Sequence, residues 1–239
     1  MNDWSHVPVD DVGYLSSAEL FALPDGDLIA LIAKMASTRY QGERNHENRW
    51  RDLMGLDAGG RTVLDYGCGT GMEALELMRA GNQVILADIF EANVRLAERV
   101  LALHGCRPLE TVILPGWPVN RFHTFHASGV LHHIREPEAV MAGAWEHLYD
   151  GGDARLMLYS DQGWRNTTGT EPPDSVLGHE KFGQFVQAFD AVGDYADWYD
   201  EERLRQRFGR WFTVERCEYM TPDRKYLGAV LRKEARGAP

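Results

Sequence analysis

The chain has 239 residues, of which 44% are hydrophobic and 26% charged, and its formal net charge at pH 7 is -11. This length suits one ordinary hydrophobic core and is short for two. The acidic balance argues against a nucleic acid partner, because phosphate binding generally needs a basic surface. No apolar run is long enough to cross a bilayer and the chain does not begin like a signal peptide, which predicts a cytoplasmic protein without a membrane partner.

Residues 1–56 are predicted to form a helical N-terminal arm with an irregular start. Apolar residues at helical spacing follow Asp27, which is the predicted N-cap of a first helix. A second helix is predicted from about Glu43 to Met54. Together they predict an arm that packs against the domain that follows.

Residues 57–161 alternate between short strands and helices. Strands are predicted at 62–66, 83–87, 109–114, 124–128 and 154–159, and helices at 72–79, 91–104 and 137–149. This alternation predicts an open, parallel sheet covered by helices on both faces. We therefore expect this stretch to be the core of a single domain spanning residues 1–239.

The remainder of the chain departs from that alternation. Residues 162–200 are rich in aromatic residues and are predicted to form a cap insertion, with a satellite core or a dimer contact as the alternative. Residues 201–239 are predicted to hold a helix and an antiparallel hairpin of 212–220 with 226–231, because the spacer between these runs is too short for a crossover helix. The predicted fold class is α/β, with a Rossmann-like seven-stranded, mostly parallel sheet.

A glycine-rich run closes the first core strand and opens the next helix, with the sequence Asp65-Tyr66-Gly67-Cys68-Gly69-Thr70-Gly71. Glycine tolerates positive φ and has no Cβ, so a ligand can approach this backbone closely. The helix that follows presents unsatisfied N–H groups at its start. A dinucleotide fingerprint would need its third glycine where Met72 stands, which makes a nicotinamide-dependent oxidoreductase the weaker alternative.

The spacing of this loop, with Asp65 two residues before the first glycine, resembles motif I of class I S-adenosylmethionine-dependent methyltransferases. The segment 127–138, which contains the run Gly-Val-Leu-His-His, resembles the end of the fourth strand in the ubiquinone and menaquinone methyltransferase-like (type 11) group. The resemblance is good over residues 60–161 and loose over 201–232. It implies S-adenosylmethionine as the methyl donor and S-adenosylhomocysteine as the product.

Asp88 ends the strand after the glycine loop, where an acidic residue can accept hydrogen bonds from both ribose hydroxyls. Its alternative role is to cap the helix that begins near Glu91. The residues that the resemblance assigns to the cofactor are Asp65, Gly67, Cys68, Gly69, Gly71, Asp88, Ile89, Ser128, Gly129 and Val130.

Methyl transfer is a direct displacement, so the protein mainly aligns donor and acceptor, and an oxygen acceptor also needs a base. His132 and His133 are the candidate catalytic residues, with a structural role as the alternative. Neighbouring helical residues point about 100° apart, so only one should face the pocket. Tyr159, Asp161 and Trp164 are the candidate substrate-binding residues, because they lie at or just beyond the end of the fifth strand, although Asp161 could instead begin a turn.

These features predict methyl transfer to oxygen, nitrogen or carbon of a small-molecule acceptor, by a monomer or homodimer with no nucleic acid partner. The sequence lacks an Asn/Asp-Pro-Pro-Tyr run and a Pro-Cys pair, which nucleic acid methyltransferases use. It also lacks a His, Cys or acid spacing typical of a metal site, so no metal is predicted. Two alternatives remain: transfer of another group from the same cofactor, and a non-catalytic cofactor-binding partner subunit.

Overall fold

The computed structural model describes residues 6–9, 13–41, 46–189 and 194–233. The N-terminal arm forms a small antiparallel hairpin, β1 (His6–Val9) and β2 (Gly13–Ser16), followed by helices α1 (Ser17–Ala22), α2 (Asp25–Tyr40) and α3 (Arg49–Met54). The arm therefore contains strand structure where the sequence predicts an irregular start. Residues 43–45 of the predicted second helix lie outside the described residues.

The first helices of the arm begin with clear local signals. Ser16 caps α1 in a reciprocal capping box with Glu19. Helix α2 begins at Asp25, two residues before the predicted cap, so that Asp25 and Asp27 both lie in its first turn. Negative charges there are favoured by the helix dipole. The first helix predicted for the arm is therefore confirmed as α2, but it begins earlier than predicted.

The centre of the molecule is a seven-stranded sheet. Its strands are β3 (Thr62–Tyr66), β4 (Gln83–Asp88), β5 (Glu110–Ile113), β6 (Phe122–Ser128), β7 (Leu148–Tyr159), β8 (Phe212–Tyr219) and β9 (Tyr226–Lys233), in the order β5-β4-β3-β6-β7-β9-β8. Strands β3 to β7 are parallel, whereas β9 pairs antiparallel with β7 and with β8. The predicted α/β class, mostly parallel sheet and C-terminal antiparallel hairpin are confirmed.

Helices cover both faces of this sheet. The remaining helices are α4 (Met72–Arg79), α5 (Glu91–Leu103), α6 (Pro137–His147), α7 (Asp161–Thr168), α8 (Phe182–Phe189) and α9 (Glu201–Phe208). Side chains of α2 to α5 form one buried apolar cluster with the sheet, and side chains of α6 and α9 form another on the opposite face. Successive residues of β3 alternate between these clusters, as in a parallel strand buried on both faces.

Strand β7 starts earlier than the sequence predicts. Helix α6 ends at His147, and Leu148 and Tyr149, which the prediction places in that helix, already belong to the strand. Leu148 is fully buried and pairs with Phe122 of β6. Pairing across the sheet thus outweighs the local helical spacing at these two positions.

The predicted cap packs at the carboxyl ends of β6 and β7. Helices α7 and α8 enclose a third apolar cluster, which includes Trp164, Phe185 and Tyr195. The chain then returns along the sheet, where the N–H of Tyr199 donates to the carbonyl of Tyr159 at 2.8 Å. The four-part division of the chain stays a prediction. Among the described residues, no helix combines the length and the apolar composition needed to span a bilayer.

Candidate active site

The glycine loop, residues 67–71, joins β3 to α4 in a tight turn. The N–H groups of Gly67 and of buried Cys68 donate to the carbonyl of Ala87 on β4, at 2.7 and 3.0 Å. Gly67 has a φ of 81°, and a Cβ at this position would lie 2.4 Å from Cγ2 of Val130. Two of the predicted cofactor segments, the loop and the end of β6, are therefore in direct contact, and Gly67 leaves no room for a side chain between them.

Other predicted cofactor residues lie along the same edge of the sheet. Gly71 is the last loop residue, where a Cβ would lie 2.8 Å from Cα of Ala97 on α5. Ile89 follows β4 and is 60% exposed, which offers an apolar surface beside Asp88. The N–H of Gly129 donates to the carbonyl of Met157 at 3.1 Å, which ties the end of β6 to β7.

The carboxylate of Asp88 connects the glycine loop to the start of α5. Its Oδ2 accepts from the N–H of Gly69 at 3.1 Å, while Oδ1 accepts from the N–H of Phe90 at 3.1 Å and from Nδ2 of Asn93 at 3.0 Å. Burial raises the pKa of Asp88, and these three hydrogen bonds act in the opposite direction. A carboxylate offers about four acceptor positions, so one remains for a ribose hydroxyl alongside the capping role.

Replacing this carboxylate is expected to weaken the cofactor complex. Asp88→Ala should cost about 1.5 to 3 kcal/mol of S-adenosylmethionine binding, or roughly 10- to 150-fold in Kd, because hydrogen bonds to a charged group have that strength. Calorimetric titration measures this, and Asp88→Asn, which keeps one acceptor oxygen, should lose less. An unchanged Kd in a folded Asp88→Ala variant would contradict the assignment.

Beneath the glycine loop, Asp65, His126 and Glu73 form a buried cluster of charged groups. Asp65 and His126 are register partners on β3 and β6, and Oδ1 of Asp65 lies 3.0 Å from Nδ1 of His126. On the other side of the imidazole, Oε2 of Glu73 lies 3.7 Å from Nε2. Donor atoms of the three side chains lie within 4.8 Å of one another, close enough to surround one cation.

Glu73 also joins the N-terminal arm to the site. Its Oε1 accepts from the hydroxyl of Tyr40 at 3.0 Å, from Nε1 of Trp50 at 3.4 Å and from the hydroxyl of Ser128 at 3.0 Å. Nη1 of Arg39 lies 3.4 Å from the same oxygen. The carboxylate of Glu73, at the start of α4, is therefore contacted by α2, α3 and the end of β6. The contact from β6 is made by Ser128, one of the predicted cofactor residues.

The charges in this cluster shift one another's protonation. Burial alone lowers the pKa of His126, but the hydrogen bond that its ring donates to Asp65 and the charges of Glu73 and Asp65 outweigh it and raise this pKa above its ordinary value. Burial alone raises the pKa of Glu73, but His126, Arg39 and the hydrogen bonds from hydroxyl groups outweigh it and lower this pKa. Burial raises the pKa of Asp65. The directions for His126 and Glu73 favour the charged forms of these two groups, whereas burial disfavours the charged form of Asp65.

This cluster predicts a pH dependence of stability. Because the folded-state pKa of His126 is raised above the ordinary value of 6.5, its stabilisation is complete below pH 6.5 and is lost as pH rises through the folded pKa. The free energy of unfolding, measured by urea denaturation between pH 6 and 9, should fall on the alkaline side. The free energy of unfolding of the wild type should exceed that of His126→Asn by an amount that shrinks over the same pH range. An excess that stays constant with pH would contradict the prediction.

Tyr159, at the carboxyl end of β7, lies at the centre of an aromatic group that we call the Tyr159 cluster. Its ring stacks on His132 with centroids 3.7 Å apart and an interplanar angle of 24°, and its centroid is 4.2 Å from that of Phe189. The rings of Tyr226 and Phe185 lie at 6.0 and 6.1 Å. The fold thus brings two predicted site residues, Tyr159 and His132, together beneath α8.

The two adjacent histidines are held in opposite tautomers by the backbone. The N–H of Tyr159 donates to Nδ1 of His132 at 3.3 Å, so the neutral ring carries its proton on Nε2. Burial and the neighbouring His133 hold the pKa of His132 well below its ordinary value, which keeps this ring neutral. Nδ1 of His133 lies 2.9 Å from the carbonyl of Tyr195. A carbonyl only accepts, so Nδ1 carries the proton and the lone pair of His133 is on Nε2.

Asp161 and Trp164 lie in α7 at the base of the cap. Asp161 accepts from the hydroxyl of Tyr219 at 2.8 Å and forms an ion pair with Arg165. Trp164 is fully buried, and its Nε1 donates to the hydroxyl of Thr170 at 3.1 Å. Contact between Trp164 and an acceptor would therefore require the cap to open.

No sequence pattern singles out His126, Glu73, Tyr40 or Trp50. Asp65 and His126 are 61 residues apart in the chain, and no motif spacing joins them. One available signal was the period of two in β6, which places His126 and Ser128 on the same face. The contact between them and Glu73 depends on how α4 lies over that face.

The strand order, the glycine loop and the acidic residue that ends β4 define a class I S-adenosylmethionine-dependent methyltransferase. A family model described as a methyltransferase domain matches residues 39–211. The chain therefore belongs to the methyltransferase domain family.

Solved structures of similar fold agree with this class. An S-adenosylmethionine-dependent methyltransferase from Mesorhizobium loti superposes with a TM-score of 0.58 at 15% identity, over 77% of this chain and 97% of the other. The N-methyltransferase NodS from Bradyrhizobium japonicum, in complex with S-adenosylhomocysteine, superposes with a TM-score of 0.55 at 13% identity, over 79% of this chain and 87% of NodS. At these identities the likeness concerns the fold.

Curated relatives are similar over part of the chain. A tRNA U34 carboxymethyltransferase from Shewanella woodyi is 35% identical over 115 residues, which are 45% of this chain and 34% of the relative. A tRNA 5-carboxymethoxyuridine methyltransferase from Escherichia coli K12 is 30% identical over 110 residues, 42% of this chain and 41% of the relative. The chain thus matches well under half the length of these relatives.

These relatives contradict the predicted partners. The composition of the chain predicts a small-molecule acceptor and no nucleic acid, whereas the matched relatives are tRNA-modifying enzymes by name. The prediction was wrong because it rested on the net charge of -11, which is an average over the chain. A binding surface is local, and a basic patch on an acidic protein is enough to contact phosphate.

Proposed function

We propose that this methyltransferase transfers the methyl group of S-adenosylmethionine to a nucleoside base of tRNA. The observation that carries the proposal is the similarity to tRNA-modifying enzymes, at 30 to 35% identity. When bound, S-adenosylmethionine supplies a methyl group activated by its sulfonium. The glycine loop, Asp65, Asp88 and the residues that end β6 would hold this cofactor at the carboxyl edge of the sheet.

A planar acceptor suits the chemistry of the Tyr159 cluster. The cluster is rich in aromatic rings at one edge of the sheet, and Tyr159 and His132 already stack with centroids 3.7 Å apart. Stacking of a nucleic acid base on an aromatic side chain contributes about 1 to 3 kcal/mol. A base inserted here would replace ring contacts that Tyr159 now makes with Phe189. The ends of β6 and β7 would then bring acceptor and cofactor side by side.

Cationic side chains near the cluster offer contacts for phosphate. Nζ of Lys225 lies 5.9 Å from the ring centroid of Phe189, and Arg224 is an exposed neighbour in the β8–β9 turn. Arg165 on α7 lies on the cap side and is paired with Asp161 and Glu171. A few such contacts would be strongly salt-dependent, because counterion release drives them.

The two histidines would have different roles in this reaction. The lone pair on Nε2 of His133 would accept the proton of an oxygen or nitrogen acceptor, as a general base. His132 presents an Nε2 proton instead, and this nitrogen is buried without a hydrogen-bond partner among the described residues. It would donate a hydrogen bond to a base carbonyl and so orient the acceptor. Asp161 would contact the acceptor near the edge of the cap.

The proposal is tested with tRNA isolated from a strain that lacks the gene. The protein is incubated with this tRNA and S-adenosylmethionine labelled on its methyl group, and the nucleosides are analysed by mass spectrometry after digestion. We expect one modified nucleoside carrying the mass of a methyl group, and no transfer when the tRNA is hydrolysed beforehand. Transfer to free nucleosides or metabolites but not to tRNA would overturn the proposal.

A further inference from the structure

The cluster of Asp65, His126 and Glu73 contains two polar atoms that the protein leaves unsatisfied. Within the described part of the chain, Oδ2 of Asp65 and Nε2 of His126 have no hydrogen-bond partner, although both residues are buried. A buried carboxylate oxygen without a partner is costly, and native proteins rarely keep one without a use. The oxygen belongs to Asp65, two residues before the glycine loop, at the end of β3 from which that loop leaves the sheet.

The charges facing the imidazole come from four elements. Asp65 on β3 and Glu73 on α4 are anionic, and Arg39 and the hydroxyl of Tyr40 approach Glu73 from α2. Arg155 on β7 is the register partner of His126 and opposes its protonation, but its guanidinium is directed away, to the carbonyls of residues 52 and 53. Around His126 itself, two carboxylates therefore surround one titratable base. A single proton on the imidazole balances part of this negative charge.

We propose that His126 is protonated in the cofactor-free protein, and that it releases this proton to solvent when the ammonium group of S-adenosylmethionine binds to Oδ2 of Asp65. The ammonium brings a positive charge into a cluster that already holds one. Two cations next to each other in a buried site repel, and the imidazolium is the one that can become neutral. The neutral ring still donates from Nδ1 to Asp65 and keeps that carboxylate oriented. His126 is thus a positioning residue for the cofactor.

Proton release is measured directly by calorimetry. Binding of S-adenosylhomocysteine, which has the same ammonium group, is titrated near pH 6.5 in buffers of different ionisation enthalpy. We expect release of up to one proton per cofactor bound, and a Kd that tightens up to about tenfold per pH unit while His126 is protonated in the free protein. Methylthioadenosine, which lacks the amino acid part, should release none. Equal release with both ligands, or none with S-adenosylhomocysteine, would overturn the proposal.

Variants on one strand separate this effect from a general loss of structure. His126→Asn should abolish proton release, whereas His123→Asn, at the exposed opposite end of β6, should leave it unchanged. Glu73→Gln should lower the pKa of His126 and shift proton release to lower pH.

An NMR titration of the wild-type protein tests the proposal if His126→Asn does not fold. The histidine resonances are followed against pH with and without S-adenosylhomocysteine. A buried histidine that titrates identically in both states would contradict the proposal. No acceptor is used, so these results are independent of the proposed tRNA substrate.

Discussion

Gly67→Val is expected to weaken S-adenosylmethionine binding by more than about 100-fold, or about 2.7 kcal/mol, while the sheet stays folded. Gly67 has a φ of 81°, and its Cβ would lie 2.4 Å from the side chain of Val130. The loop must move to relieve this contact, and its N–H bonds to β4 hold the turn that the cofactor would approach. Calorimetric titration and the circular dichroism spectrum together measure binding and fold.

Gly60→Val is the matched control for this variant. Gly60 has a similar φ of 79°, but a Cβ there meets no atom within 4 Å. Both variants should therefore lose about 1 to 2 kcal/mol of stability from the left-handed backbone conformation. Cofactor binding should be lost in Gly67→Val alone. Equal affinities in the two variants would show that the cofactor does not depend on the close approach at Gly67.

His133→Asn is expected to lower kcat by about 10²- to 10⁴-fold without changing the Kd of the cofactor. Asparagine can keep a donor toward the carbonyl of Tyr195, but it removes the lone pair that Nε2 of His133 provides. Single-turnover rates with the labelled cofactor measure the loss of rate, and calorimetric titration measures the Kd of the cofactor.

His132→Asn provides the comparison within the same pair. Its side-chain oxygen can still accept from the N–H of Tyr159, so the local backbone contact is kept. Asparagine is too short to replace the Nε2 donor of His132, so this variant should mainly raise the acceptor KM, whereas His133→Asn lowers kcat. If His132→Asn lowered kcat and His133→Asn raised only the acceptor KM, the two roles would be reversed.

Much of the fold could be predicted from local patterns. The strands and helices of residues 57–161 were located within a few residues, apart from the early start of β7 at Leu148. That error arose because Leu148 and Tyr149 fit the helical spacing of α6, while pairing with Phe122 draws them into the sheet. The hairpin β1–β2 was missed for a similar reason, since its four-residue strands are too short to show a period.

The glycine loop and Asp88 could be predicted from the sequence as cofactor residues because the chemistry is local. A positive φ, the absence of a Cβ and an acidic residue at a strand end are properties of single positions, and the parallel topology places both segments at one edge of the sheet. The acceptor could not be inferred in this way. Net charge describes the whole chain, whereas recognition of an acceptor depends on a few side chains at one place on the surface.

The sequence by itself determined the class of fold, and it singled out the glycine loop as the predicted cofactor site and His132 and His133 as residues of interest. Only the tertiary structure decided which tautomers the two histidines adopt. Backbone groups at Tyr159 and Tyr195 select the tautomers of the two histidines, and the pairing of β3 with β6 places His126 against Asp65. The physical reason is that a proton's position depends on charges and hydrogen-bond partners a few ångströms away, and those partners are distant along the chain.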